Sequence, residues 1–168
     1  MPVVRLSKLL AVAAVALYAG LVALGNLTDY GSNLAFVQHV LAMDTVFPDT
    51  TISWRAISHP MLQHLAYALI IAGELATALL CGFGALRLWR QRRASAVAFQ
   101  RAKSPAIAGL TLGFLVWQVG FMSIGGEWFG MWMSTQWNGL EAAFRCFMLM
   151  LGVLVYVSLR DEELPAAG

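Results

Sequence analysis

The sequence predicts an all-α membrane protein: a four-transmembrane-helix bundle with a short helical outer segment between helices 1 and 2. Three observations carry this. Apolar stretches run near Leu9–Leu24, Leu65–Leu86, Ala106–Ile124 and Ala142–Leu159, each close to the ~20 residues that carry a helix across ~30 Å of hydrocarbon. Hydrophobic residues make up 60% of the chain and charged residues only 12%, against ~25% charged in a soluble domain. The basic residues also fall on one side of the apolar stretches. The 168 residues are expected to form a single integral membrane domain, with spans near 6–25, 62–88, 105–125 and 140–159.

Orientation follows from the basic residues. Arg5 and Lys8 precede the first span, Arg87, Arg90, Arg92, Arg93, Arg101 and Lys103 fill the loop between the second and third, and Arg160 follows the fourth. Between Asn26 and Met61 only Arg55 is basic, and the loop from Gly125 to Gly139 has no Lys or Arg. The positive-inside rule therefore predicts cytoplasmic N- and C-termini, a cytoplasmic 87–104 loop, and two outer loops. Because topology accounts for the basic loop, no nucleic-acid partner is expected; attraction to anionic lipid headgroups is. A signal peptide is the competing reading of the first span. Its apolar run is long for an h-region and no clear A-x-A site follows, so a retained helix is expected.

The segment between the first two spans has structure of its own. In Asn33–Met43 the apolar positions 34, 37 and 41, with 36 and 40, follow a helical period. Ser32 or Asn33 suits the cap, and Asp44 and Pro48 mark the stop. This helix is too short to span, so it is expected along the outer interface or across the bundle mouth, with Leu34, Val37 and Leu41 inward. A second short helix is expected from Asp49 through Ile57, ending before Pro60. The loop Gly126–Gly139 holds Trp128, Trp132 and Trp137, ordinary for a membrane interface, with a ligand-pocket lining as the sharper alternative.

These segments also carry a resemblance. Asn26-Leu27-Thr28-Asp29-Tyr30-Gly31-Ser32-Asn33, Val40-Leu41-Ala42-Met43-Asp44-Thr45, Trp54-Arg55-Ala56-Ile57, Gly126-Glu127-Trp128-Phe129 and Trp137-Asn138-Gly139 are similar to a bacterial family of small integral membrane proteins labelled as a domain of unknown function. The resemblance covers nearly the whole chain. It implies a four-helix protein of the bacterial inner membrane, and brings no catalytic residues with it.

Polar side chains inside spans need a reason, because each costs at least ~2.5–3.5 kcal/mol on insertion scales. Glu74 sits mid-span, and Gln63, Tyr67, Glu74 and Cys81 fall on one helical stripe that should face inward. In the fourth span Glu141 and Arg145 are one turn apart, with Gly152 and Tyr156 continuing the seam; in the third, Thr111, Phe114 and Gln118 share a face. The expectation is one outward-opening polar cluster of Gln63, His64, Tyr67, Glu74, Gln118, Glu141 and Arg145, with Glu74 coupled to Arg145. A structural network and a small-ligand, ion or proton site both fit it. A second candidate site on the outer segment comprises Asp29, Tyr30, Asp44, Trp54 and Arg55, with turn and capping roles as the plainer explanation.

Three function classes stay open. The first is an accessory subunit or small-ligand-binding bundle, associated with a partner membrane subunit or with further copies of itself. The second is a quinone- or haem-associated anchor of a redox complex. A quinone site would use Trp117, Arg145 and Tyr67, while haem lacks a second intramembrane His beside His64. The third is a small transporter or channel acting as an oligomer, although no internal repeat is evident. No G-x-S-x-G or HExxH motif is present, and Cys81 and Cys146 both lie in spans without CxxC spacing. Hydrolase chemistry, a metal site and a resident cofactor are therefore not expected.

Overall fold

A computed structural model describes residues 3–163. Four helices are long and apolar enough to cross a membrane. They are built from α1 (Val3–Thr28), α3 (Pro60–Gln91), α5 (Ser104–Leu115) with its continuation, and α6 (Leu140–Ser158). The shorter α2 (Tyr30–Ala42) and α4 (Ala96–Ala102) lie between them, and no strand occurs among the described residues. Pro60 and Pro105 open α3 and α5 at a position where the missing N–H is harmless. Ser95 caps α4 by accepting the Ala98 N–H at 3.3 Å. Met43 ends α2 in the left-handed conformation, at φ 53°.

Beyond Leu115 the third membrane helix widens into a π-helix, Val116–Trp128. Its backbone bonds close five residues back, as where the Phe129 N–H reaches the Ile124 carbonyl at 3.0 Å. π-Helices are usually single-turn bulges, and they concentrate at functional sites. This one spans 13 residues, and it takes over the stretch expected to start the third loop.

The membrane helices form an antiparallel ring in which α1 neighbours α3, α3 neighbours α5, α5 neighbours α6, and α6 returns to α1. Small residues set the spacing. A Cβ on Gly84 would stand 2.6 Å from the Ala106 backbone nitrogen, and one on Gly109 would stand 2.9 Å from the Cys81 backbone nitrogen. Gly113 meets Thr77 in the same way, so Gly109 and Gly113 present a small-xxx-small face to α3. Against α1, Gly20 faces Ala78 and Gly82 faces Ala16. Lipid tails are as apolar as leucine, so close backbone packing decides which face turns inward.

That rule corrects part of the expected polar seam. The buried face of α5 and its continuation is Ala106, Gly109, Leu110, Gly113 and Trp117; that of α6 is Ala143, Cys146, Met150 and Val157. Thr111, Glu141, Arg145 and Gly152 face out, and Gln118 is half-buried. The stripe on α3 is as expected: Gln63, Tyr67, Glu74 and Cys81 are all buried.

The two ends of the ring are closed by different chemistry. At the end carrying residue 3, the segment Leu159–Glu163 folds back over the helix ends. Asp161 Oδ2 pairs with Lys8 at 3.1 Å and also with Lys103. The Leu159 carbonyl accepts from both ammonium groups at 2.7 Å. Arg5 donates to the carbonyls of Ala94 at 2.6 Å and Glu162 at 2.9 Å. Arg5, Lys8 and Lys103, which enter the sequence reading only as topology markers, are thus buried.

At the distal end α3 projects beyond α1, and α2 lies along the projection. Leu34, Val37, Val40 and Leu41 pack on Tyr67 and Ile71 in a second apolar core, so the inward face expected for the outer helix is present. The helix starts at Tyr30 with Asp29 at its N-cap, so it begins two residues before Ser32 and three before Asn33, the two expected caps. The second expected helix, Asp49–Ile57, is only one 3-10 turn, Ser53–Arg55. Its chain is fixed instead by extended contacts: the Ile57 N–H donates to the Leu41 carbonyl at 2.7 Å, and Gln63 Nε2 donates to the Ile57 carbonyl at 2.9 Å.

Removing the shared anion of the terminal end should be severe. Asp161→Ala would strand two buried ammonium groups and is expected to destabilise by about 3–5 kcal/mol. The exposed Arg93→Gln should stay within about 0.5 kcal/mol. Unfolding in detergent measures both.

Candidate functional site

A buried polar contact lies where α1 ends against α3. Glu74 is 1% exposed, and its Oε2 accepts from Asn26 Nδ2 at 2.7 Å. The backbone carbonyl of Asn26 accepts the Tyr67 hydroxyl at 2.9 Å. One residue on α1 therefore holds two residues of α3 that stand two turns apart. Tyr30, at the start of α2, leans on Tyr67 with ring centroids 4.8 Å apart. Its hydroxyl meets His64 Nδ1 at 2.8 Å.

Beside this network is empty space. A small pocket of about 90 Å³ is lined by Asn26, Asn33 and Tyr67 together with Phe36, Val37 and Phe121. A larger cavity of about 220 Å³ shares Phe36, Val37 and Phe121 and runs between α2, α3 and the π-helix. Its further walls include Val40, Ala66, Ile70 and Gly125, which makes it apolar almost throughout. The π-helix supplies Gly120 and Gly125 here, and nothing lies within 4 Å of where a Cβ on Gly120 would stand. Widened backbone and absent side chains together open the cavity.

The expected cluster is brought together only in part. Tyr67 and Glu74 join through Asn26, and His64 joins through Tyr30, although its ring is exposed. Gln63 is buried one turn further out on Ile57. Gln118 is half-buried in the π-helix. The expected coupling of Glu74 to Arg145 is not formed. Arg145 pairs with Glu141 on the outside of α6, with side chains 72% and 82% exposed. The reason is depth: α6 begins at Leu140, so both residues sit in its first two turns, where a long side chain reaches the boundary without turning inward. Trp117, Tyr67 and Arg145 are likewise separate, since Trp117 packs tilted against Tyr18 with centroids 6.3 Å apart and Arg145 lies on the exposed face of α6.

The residues of the second candidate site divide among three places. Asp29 breaks α1 from α2, and its carbonyl accepts Asn33 Nδ2 at 3.0 Å; Tyr30 follows it. Asp44 bonds His39 Nδ1 at 2.7 Å, and the His39 ring stacks on Trp137 at 4.4 Å. Trp54 and Arg55 face Trp128, with the guanidinium 4.5 Å from that ring and donating to its carbonyl at 3.1 Å. The His39–Trp137 and Arg55–Trp128 contacts clasp the two distal segments together, while the Asp29 and Asp44 bonds are local. No three His, Cys, Asp or Glu side chains converge as a metal set among the described residues.

Asn26 is the residue that sequence reasoning missed. In the sequence it stands only as a boundary of the first outer loop and in the segment that carries the resemblance. The usable signal was its position: a polar side chain closing an apolar helix, opposite the one carboxyl group buried in the next helix.

Independence of Glu74 and Arg145 is measurable. Glu74→Leu should destabilise by about 1–3 kcal/mol, because it leaves the Asn26 amide unpaired. Arg145→Gln should change little. The double variant should equal the sum within about 0.5 kcal/mol, and marked non-additivity in denaturation experiments would contradict this arrangement.

Comparison with known proteins adds the class and nothing finer. No curated protein and no solved structure matches the chain. The model of one family, described as predicted small integral membrane protein (DUF2165), matches residues 4–160. The chain, with its four membrane-length helices and its closed polar contact at the end of α1, belongs to that family of small integral membrane proteins.

Proposed function

We propose that this small integral membrane protein is a ligand-binding bundle, and that its ligand is a small apolar molecule, or the end of a lipid-like chain, carrying one hydrogen-bonding group. The cavity under α2 is the observation that supports this reading. An apolar space of about 220 Å³ adjoins a corner walled by Asn26, Asn33 and Tyr67. For scale, a dry cavity of ~150 Å³ accepts a benzene-sized guest. Ligand sites commonly pair apolar walls with a few placed polar groups. The Asn26 amide uses one donor on Glu74, and an amide carries a second donor and an acceptor. Glu74 orients that amide from beneath.

The membrane in this reading is the bacterial inner membrane. Nine basic residues belong to the end that holds residues 3 and 163, and two, Arg55 and Arg145, to the distal half. By the positive-inside rule the first end is cytoplasmic. The cavity then opens on the outer side, near the lipid boundary. Exposed Leu69 and Ile124 line its membrane edge, so a ligand enters laterally from lipid. The binding role needs no catalytic group. It is compatible with service as an accessory subunit, and a partner chain or a second copy would be detected in the same experiment.

Native mass spectrometry of the chain released from mild detergent tests the proposal. The wild type should retain a small apolar mass that Ala66→Phe, which fills the cavity from α3, loses while its melting temperature is kept. An identical adduct pattern in both proteins would place any bound molecule elsewhere. No adduct in either, with a more stable Ala66→Phe, would make the cavity a packing void.

A further inference from the structure

The nine basic side chains of the terminal end are not equivalent. Arg5, Lys8 and Lys103 are buried under the segment that follows α6. Arg92 lies on the Trp89 ring at 3.8 Å and donates to the Trp89 carbonyl at 2.7 Å. Three others converge. Arg87 and Arg90 stand one turn apart near the end of α3, and Arg101 approaches from the last turn of α4. They line one groove of about 410 Å³, with Ala98 and Ala102 as its floor and Phe83 at its membrane side.

None of these three guanidinium groups pairs with a carboxylate among the described residues. We propose that the groove binds the phosphate of an anionic phospholipid headgroup. Three convergent like charges repel one another, and an anion between them relieves that repulsion. Planar guanidinium groups hold phosphate oxygens through paired N–H donors, which a compact ammonium cannot do. The positive-inside rule asks only that charge lie at this end. It does not ask that three arginines from two helices share one concavity.

Phosphate chemistry alone would equally suit a soluble phosphate ester. The surroundings favour the lipid. From the groove the surface of α3 continues into Phe83, Leu86 and Leu79, all exposed, a track on which acyl chains can lie. Arg87 rests near the Phe83 ring, with 5.9 Å from its guanidinium carbon to the centroid. The cation therefore stands at the edge of the apolar surface, where a headgroup phosphate resides.

The test uses the full chain in mild detergent, titrated with phosphatidylglycerol or with phosphatidylcholine of the same acyl chains and read by native mass spectrometry. Phosphatidylglycerol should bind in preference. R90Q/R101Q should weaken it by about fivefold per arginine removed. R93Q/R160Q, which removes the same charge outside the groove, should leave binding unchanged. Circular dichroism confirms the fold of each variant, and R101Q alone carries the comparison if the double variant does not fold. Glycerol 3-phosphate should neither bind nor displace the lipid. Equal binding of the two lipids, or equal losses in the two double variants, would overturn the proposal in favour of undirected surface charge. Binding of glycerol 3-phosphate with no preference between lipids would overturn it in favour of a soluble phosphate ester.

Discussion

The hydrogen bond from Asn26 to Glu74 decides the shape of the distal half. A carboxyl group 1% exposed must find a donor inside the protein, because hydrocarbon offers none. Glu74 finds it on the last turns of α1. That contact sets how far α1 reaches along α3. The Tyr67 hydroxyl on the Asn26 carbonyl repeats the constraint two turns further out. With α1 halted there, the chain breaks at Asp29 and α2 begins at Tyr30. The remaining α3 is left bare, and α2 covers it. The 32 residues of α3 span about 48 Å at the usual rise, more than the ~30 Å of hydrocarbon. The excess is what α2 and the distal loops clothe.

The two ends of the bundle hold by different physics, and the difference matters for function. Buried ammonium groups around one aspartate close the terminal end, an arrangement that tolerates little movement because every opening strands a charge. Rings and apolar side chains close the distal end: His39 on Trp137, Trp54 on Trp128, and Phe47 edge-on to Trp132. Such contacts are weaker singly and can slide. The apolar cavity lies at that softer end, beneath α2 and beside the π-helix. A site that admits a guest is drawn from the less stable part of a structure.

Legibility followed the strength of the physical rule behind each element. The four membrane helices were evident because hydrocarbon thickness imposes ~20 apolar residues, a signal few folds mimic. The α3 stripe through Gln63, Tyr67, Glu74 and Cys81 was equally plain, since 100° per residue holds along an unbroken α-helix. The inward faces of the third and fourth membrane helices were misread. Polar residues were given priority there, whereas Gly109 and Gly113 show that small size decided. Gln118 is held off the inward face by the same packing, since Gly113 and Trp117 carry the buried stripe past it at helical spacing. Arg145 could not be assigned between Glu74 and Glu141 without knowing where α6 begins. The terminal end was hidden because Asp161 lies beyond the last apolar run, where no periodicity marks a residue as buried. Asn26 illustrates the general gap. Its meaning depends on the register of α1 against α3, which no local pattern encodes.

If Asn26 holds α2 over the cavity, loosening it should be felt in α2 before anywhere else. Hydrogen–deuterium exchange of the Asn26→Leu variant in detergent is the direct measurement. Exchange should be faster across Tyr30–Ala42 and the first turns of α3, with protection kept in α5, α6 and the helix ends around Asp161. Uniform loss of protection, or an α2 exchanging as slowly as in the wild type, would contradict that role for Asn26.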